Sequence, residues 1–139
     1  MPGRVLLFAL AMVLAASAAA CAGSSATYRT ITIAMTDSMA FEPSAIQVKA
    51  GETVRFEVKN VGQIAHEFFV GSAALQDEHE AEMRKLGSMP HDHPTGVHVA
   101  EGGSKTLQVT FPEAGTLLMG CHEPGHWQAG MRGTIVVAP

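Results

Sequence analysis

Short apolar alternations, separated by turn residues, run through most of this chain. The clearest is Thr53-Val54-Arg55-Phe56-Glu57-Val58-Lys59-Asn60, where Val54, Phe56 and Val58 share one face and Arg55, Glu57 and Lys59 the other. A period of two predicts a half-buried strand. Further strands are expected at Tyr28–Ile33, Ile46–Val48, Phe68–Val70, Lys105–Phe111, Thr116–Met119 and Gly133–Val137, with Ala50-Gly51 and Asn60-Val61-Gly62 as turn signals. About seven or eight short strands punctuated by Gly and Pro predict an all-β sandwich. One segment breaks the pattern. Ala73 to Leu86 is rich in Ala, Glu, Lys and Leu and predicts a short helix, stopped by Gly87 and Pro90. The stretch from there to about Gly103 holds little apolar material and is expected to be a loop, which puts the insert at about 73–103.

The first twenty residues stand apart from this pattern. Arg4 precedes an apolar run from Val5 to Ala20 that ends in Ala18-Ala19-Ala20, the anatomy of a secretory signal peptide. The run is close to the lower limit for a membrane span, so a retained anchor is the alternative. Cys21 follows directly, and the arrangement resembles a bacterial lipoprotein signal, in which the Cys is acylated and becomes the first mature residue. Ala18 stands where such signals usually carry Leu, and ordinary cleavage near Ala20 or Ala22 is the other reading. Residues 1–20 are thus expected to be a leader, 21–27 a flexible tether and 28–139 the folded domain. Membrane contact is expected only through a lipid on Cys21 or an uncleaved leader.

Without that leader the chain keeps 8 basic and 13 acidic side chains, a net charge of −5. An acidic domain of roughly 118 residues has no electrostatic footprint for nucleic acid but is long enough to bury a modest core. The cysteines say more. There are two, Cys21 and Cys121. With Cys21 lipidated or removed, Cys121 is an unpaired thiol in an oxidising compartment and needs a chemical reason. A Cys21–Cys121 disulfide is the alternative. The small-residue tether Ala22-Gly23-Ser24-Ser25-Ala26 beside Cys21 speaks against it.

A chemical reason lies in Gly120-Cys121-His122-Glu123-Pro124-Gly125-His126-Trp127-Gln128-Ala129-Gly130-Met131. Thiolate, imidazole and thioether follow one another at intervals of five residues. Soft sulfur with imidazole selects copper, and a Cys with two His and a weak axial Met is the blue-copper donor set. A loop leaving a strand at Cys121 can present His126 near its tip and return through Met131, with Pro124, Gly125 and Gly130 allowing the turns. The second imidazole must come from elsewhere. His66, just after the Asn60-Val61-Gly62 turn and before Phe68 and Phe69, is the best placed. An axial thioether suits zinc poorly. Trp127 reads as packing or as a shield over the metal, and His122 as an exposed group near it.

The pattern resembles the cupredoxins, the plastocyanin and azurin family of small copper proteins, over residues 28–139. Glu42-Pro43 and Ile46 to Val54 look like that family's N-terminal strands, His66 matches its first ligand, and Cys121, His126 and Met131 match the others. The resemblance implies a Greek-key sandwich holding one copper ion in a mononuclear type 1 site. The final loop is also similar to that of multicopper oxidases, where a His beside the Cys serves a second copper cluster. His122 occupies that position, but the other His motifs such a cluster requires are absent. A narrower likeness, to small periplasmic cupredoxins of bacterial copper tolerance, rests on Ala65-His66-Glu67-Phe68, the helical insert, Met89-Pro90-His91-Asp92-His93 and Val97-His98-Val99-Ala100. Where many relatives carry Asn after the first His, this chain has Glu67, and such neighbours tune a metal site.

The insert adds a candidate second copper site. His79 and Met83 are four residues apart on one helix face, with Met89, His91, His93 and His98 beyond. The plainer and preferred reading is a solvated acidic helix and a polar loop. Two functions follow. One is one-electron transfer between Cu(II) and Cu(I) with a redox partner protein. The other is copper tolerance by sequestration in the bacterial periplasm, alongside copper-handling proteins. A third, weaker expectation is an accessory electron donor to a copper enzyme. No catalytic acid, base or open coordination position is legible, so the chain is not expected to be an enzyme.

Overall fold

The computed structural model describes residues 28–87, 89 and 92–139. The leader, the tether with Cys21, and His91 lie outside the described residues. Among the described residues nine strands and one helix follow in order: β1 (Arg29–Thr36), β2 (Ala40–Glu42), β3 (Ala45–Lys49), β4 (Glu52–Asn60), β5 (His66–Gly71), α1 (Ala73–Leu86), β6 (Gly96–Val99), β7 (Ser104–Phe111), β8 (Gly115–Gly120) and β9 (Arg132–Ala138). They form two packed mixed sheets, ordered β2-β1-β4-β7 and β3-β9-β8-β5-β6. β1 runs parallel to β4 and β3 parallel to β9, while the other pairings are antiparallel.

The alternation seen in the sequence is the physical cause of the core. Val54, Phe56 and Val58 of β4 are wholly buried, whereas Arg55 and Lys59 on the other face are exposed and Glu57 is half-buried. Across the sandwich the three buried side chains meet Phe68, Met119, Ile135 and Val137 from the second sheet. Phe56 packs on Phe68 at a centroid distance of 5.1 Å and on Phe111 at 6.4 Å. Each such side chain contributes about 1.5–3 kcal/mol by leaving water.

Two strands were not expected. β2 has three residues, too few to display a period, and only Phe41 in it is buried. β6 lies within the segment expected to be loop. Val97 and Val99 face inward with His98 between them, and the strand pairs with β5 through His66↔Val99 and Phe68↔Val97. All six residues of β5 are buried, so its outer edge needs a covering partner for its backbone groups. Residues 96–99 supply that partner.

Helix α1 spans the residues that its composition predicted. Ser72 caps its start by accepting the Leu75 N–H at 3.2 Å, and Gly87 ends it at φ 66°. The expectation of a merely solvated acidic helix is corrected here. Gln76, His79, Glu80 and Met83 form a buried stripe at helical spacing. Three of the four are polar, so this face must find hydrogen-bond partners in the sandwich.

The topology gathers the candidate donors at one end. His66 opens β5, Cys121 directly follows β8, and Met131 directly precedes β9. In sheet order β9, β8 and β5 are neighbours, so residues 55 and 65 positions apart in the chain start from adjacent strand ends.

Candidate metal centre

The turn ahead of His66 is built by Asn60. Its side-chain amide donates to the carbonyls of Ile64 (2.7 Å) and Val99 (3.1 Å), and its Oδ1 accepts the Gly62 N–H at 2.9 Å. His66 therefore enters β5 in a fixed orientation, wholly buried. The loop from 121 to 131 is closed by its own backbone. Cys121 N–H donates to Met131 O at 3.1 Å, and Met131 N–H donates to His126 O at 3.0 Å. The reversals need left-handed backbone at Gly125 (φ 88°) and Gly130 (φ 95°), as the turn chemistry predicted.

This folding brings three donors together. Cys121 Sγ lies 3.3 Å from His126 Nδ1 and 3.9 Å from His66 Nδ1. The donor atoms of His66, Cys121 and His126 all fall within 4.8 Å of one another, the one such group of His, Cys, Asp or Glu among the described residues. Donors about 2 Å from a shared ion in a trigonal plane sit about 3.5 Å apart, so the spacing fits a metal ion. Met131 is wholly buried where its chain re-enters the sandwich. His126 is only half-buried, which leaves the centre one edge toward solvent. Sulfur with two imidazoles and a thioether nearby suits copper, which would supply a centre able to take up and return one electron.

Burial pushes the Cys121 thiol up to about 12, although the Glu67 and Glu123 N–H groups work the other way. The metal-free site thus holds a neutral thiol that a metal ion must deprotonate. Burial, helped by the neighbouring His66, lowers the pKa of His126, so its imidazole is neutral and ready to bind at pH 7. His66 is oriented from behind by Asp37, whose Oδ1 lies 3.3 Å from His66 Nε2.

Beyond the donors lies a second layer that the sequence did not announce. Glu67 is buried; its N–H donates to Cys121 Sγ at 3.2 Å, and its Oε1 lies 2.8 Å from His79 Nε2. Its Oε2 accepts the His122 N–H at 3.2 Å. His122, expected to be exposed, is 1% exposed. Its ring nitrogens face Glu80 Oε2 at 2.8 Å and Gln76 Oε1 at 2.7 Å, and Trp127 stacks on it at 4.8 Å. Helix α1 thus covers His122 from outside the sandwich. Gln128 also donates to Glu80. Burial opposes the charged form of His79, but the hydrogen bond and charge of Glu67 and the nearby Glu82 outweigh it, and the pKa is raised.

Of the candidate second-site residues, His91 lies outside the described residues, and the His79 and His93 rings are 5.8 Å apart. His79 serves Glu67, His98 Nδ1 meets Glu123 Oε1 at 2.8 Å, and His93 Nδ1 accepts the Thr95 N–H at 3.2 Å. Met83 is buried in the helix face, and Met89 is exposed. Asp37 and the roles of Glu67, Gln76 and Glu80 had no signal in spacing. Only the departure from Asn at position 67 marked that residue.

Comparison with known proteins agrees with this geometry. The family described as "Copper binding proteins, plastocyanin/azurin family" matches residues 28–138. The "Copper-resistant cuproprotein CopI" of Rubrivivax gelatinosus is 44% identical over 109 residues, covering 78% of this chain and 66% of that protein. The protein of the same name from Pseudomonas aeruginosa is 39% identical over 140 residues, covering 80% and 77%. This chain thus spans just under two thirds of the Rubrivivax protein's length. Among solved structures, dithionite-reduced auracyanin from Roseiflexus castenholzii superposes with a TM-score of 0.71 at 26% identity, over 79% of this chain and 97% of that one. Auracyanin A from Chloroflexus aurantiacus, a "blue" copper protein, gives 0.65 at 27% identity, over 80% and 99%. A family match across almost the whole described domain, with a His-Cys-His group at the strand ends, makes this chain a cupredoxin, a copper-binding member of the plastocyanin/azurin family.

Proposed function

We propose that this protein is exported and contributes to copper tolerance outside the cytoplasm by holding one copper ion in a mononuclear type 1 centre. The observation that carries the reading is the convergence of Cys121 Sγ, His66 Nδ1 and His126 Nδ1 at the ends of β5 and β8. Cys121 would supply the thiolate, His66 and His126 the imidazoles and Met131 the thioether to the ion, giving a centre able to exchange one electron. The CopI relatives, named for copper resistance, support tolerance as the physiological role. The Ala18-Ala19-Ala20-Cys21 junction supports export, with Cys21 as the site of a lipid anchor.

The residues around the metal supply its environment. Glu67 and Glu123 donate N–H groups to the sulfur, Asp37 holds the His66 ring, and β5 and the loop exclude water from all but the His126 edge. Two sheets of packed side chains resist changes in geometry between the two copper charges. That rigidity, together with the likeness to a blue copper protein, favours a second reading, one-electron transfer to a redox partner. Expression in a copper-sensitive bacterial strain tests the choice. Wild type is expected to restore growth in copper, and Cys121→Ser to abolish the rescue. Equal rescue by both would overturn the tolerance reading. The combined variant at His91 and His93 should keep one copper per chain and full rescue.

A further inference from the structure

A helix laid on a sandwich normally buries apolar residues, yet α1 buries Gln76, His79 and Glu80. Every polar group so buried must be bonded, because an orphaned one costs about 1–3 kcal/mol. Their partners are not scattered. Gln76 donates to the carbonyls of Phe69 (3.3 Å) and Leu118 (3.0 Å) and faces His122. Glu80 faces the other nitrogen of His122. His79 meets Glu67 and stacks on Phe69 with ring centroids 4.0 Å apart. These partners lie on β5, β8 or the residue after Cys121, Gln128 of the same loop also donates to Glu80, and the contacts with Glu82 and Arg84 stay within the helix. Space there is closed as well. A Cβ on Gly120 would lie 2.4 Å from Gln76 Oε1 and 2.7 Å from the Trp127 ring.

Glu67 is where the lines cross. It follows His66, its N–H reaches Cys121 Sγ, and its two carboxylate oxygens take up His79 from the helix and the His122 N–H from the loop. The Glu67 carboxyl group engages both, one oxygen to each. We propose that Glu67 is a positioning residue through which α1, by way of His79, braces the Cys121–Met131 loop in its metal-ready form before any metal arrives. The inference rests on the assignment of Cys121 as a copper ligand for its purpose, but the brace is a property of the metal-free protein.

Amide hydrogen exchange of the metal-free protein, read by mass spectrometry, tests it. In Glu67→Gln and in His79→Gln, exchange across 121–131 should quicken by about tenfold while β4 and β7 keep wild-type rates. The double variant should be no faster than the worse single one, because both changes cut one connection. In the copper-loaded variants, one ion per chain should be retained with a shifted absorption band and reduction potential. Unchanged loop exchange, acceleration spread evenly over both sheets, or additive effects in the double variant would each overturn the brace. Loss of the copper band in neither Cys121→Ser nor these variants would instead strike at the ligand assignment and leave the exchange result standing.

Discussion

His66 Nε2 lies 3.3 Å from Asp37 Oδ1, on the ring edge opposite the Nδ1 that faces Cys121. Asp37 sits in the turn between β1 and β2, and its Oδ2 accepts the Gln63 N–H at 2.7 Å. That bond is the main reason its carboxyl stays below the usual range, so it is a carboxylate at neutral pH. A Cβ at Gly62 would crowd the Asp37 carboxylate and push it away from this position. A carboxylate behind a metal-binding imidazole fixes the tautomer and raises the basicity of the other nitrogen.

Asp37→Asn should therefore raise the reduction potential, because a neutral amide supports Cu(II) less than a carboxylate does. Asp37→Ala should also free the His66 ring and weaken copper binding by about 10- to 100-fold. Voltammetry and competition with a chelator read the two effects. A potential that falls in Asp37→Asn would contradict the orienting role.

The His79–Glu67 pair gives stability a defined dependence on pH. His79 has a folded pKa above its unfolded value. Its contribution is therefore fully present below about pH 6.5 and is lost as pH rises through the folded pKa. Glu67 and Glu82 supply the attraction, and the rings of Phe69, His93 and His122 pack around it. The melting-temperature advantage of metal-free wild type over His79→Gln should be largest near pH 6 and shrink toward pH 9. A gap that widens with pH would show that His79 is held neutral.

Copper uptake should release a proton from Cys121. Burial keeps the thiol protonated up to about 12, whereas the metal binds the thiolate. Apparent affinity should accordingly rise by up to about tenfold per pH unit around neutrality, with no competing proton on His126. Calorimetric titration in two buffers of different ionisation enthalpy measures the proton count. A value of zero would mean that the sulfur is not a ligand or is already ionised.

The sandwich was legible because Val54, Phe56 and Val58 report period two without ambiguity, and α1 because Ala73 to Leu86 lacks the β-branched residues of its neighbours. The loop donors were legible because Cys121, His126 and Met131 are close in sequence and bounded by glycines. β6 escaped because its need arises from the buried edge of β5, which is not a property of residues 96–99 themselves. The burial of His122 escaped for a related reason. A polar ring enters an interior only when partners such as Gln76 and Glu80 arrive from another element, and pairing across 42 and 46 residues leaves no local mark. Asp37 was invisible on the same ground, acting across 29 residues from a surface turn.

The central claim is that Cys121 binds copper together with His66 and His126. Titrating the purified metal-free domain with Cu(II), while recording visible and EPR spectra, tests it most directly. The account predicts saturation at one ion per chain, an intense thiolate-to-copper absorption, and loss of that absorption in Cys121→Ser. Tight zinc binding with no such band, or a band that survives Cys121→Ser, would contradict it.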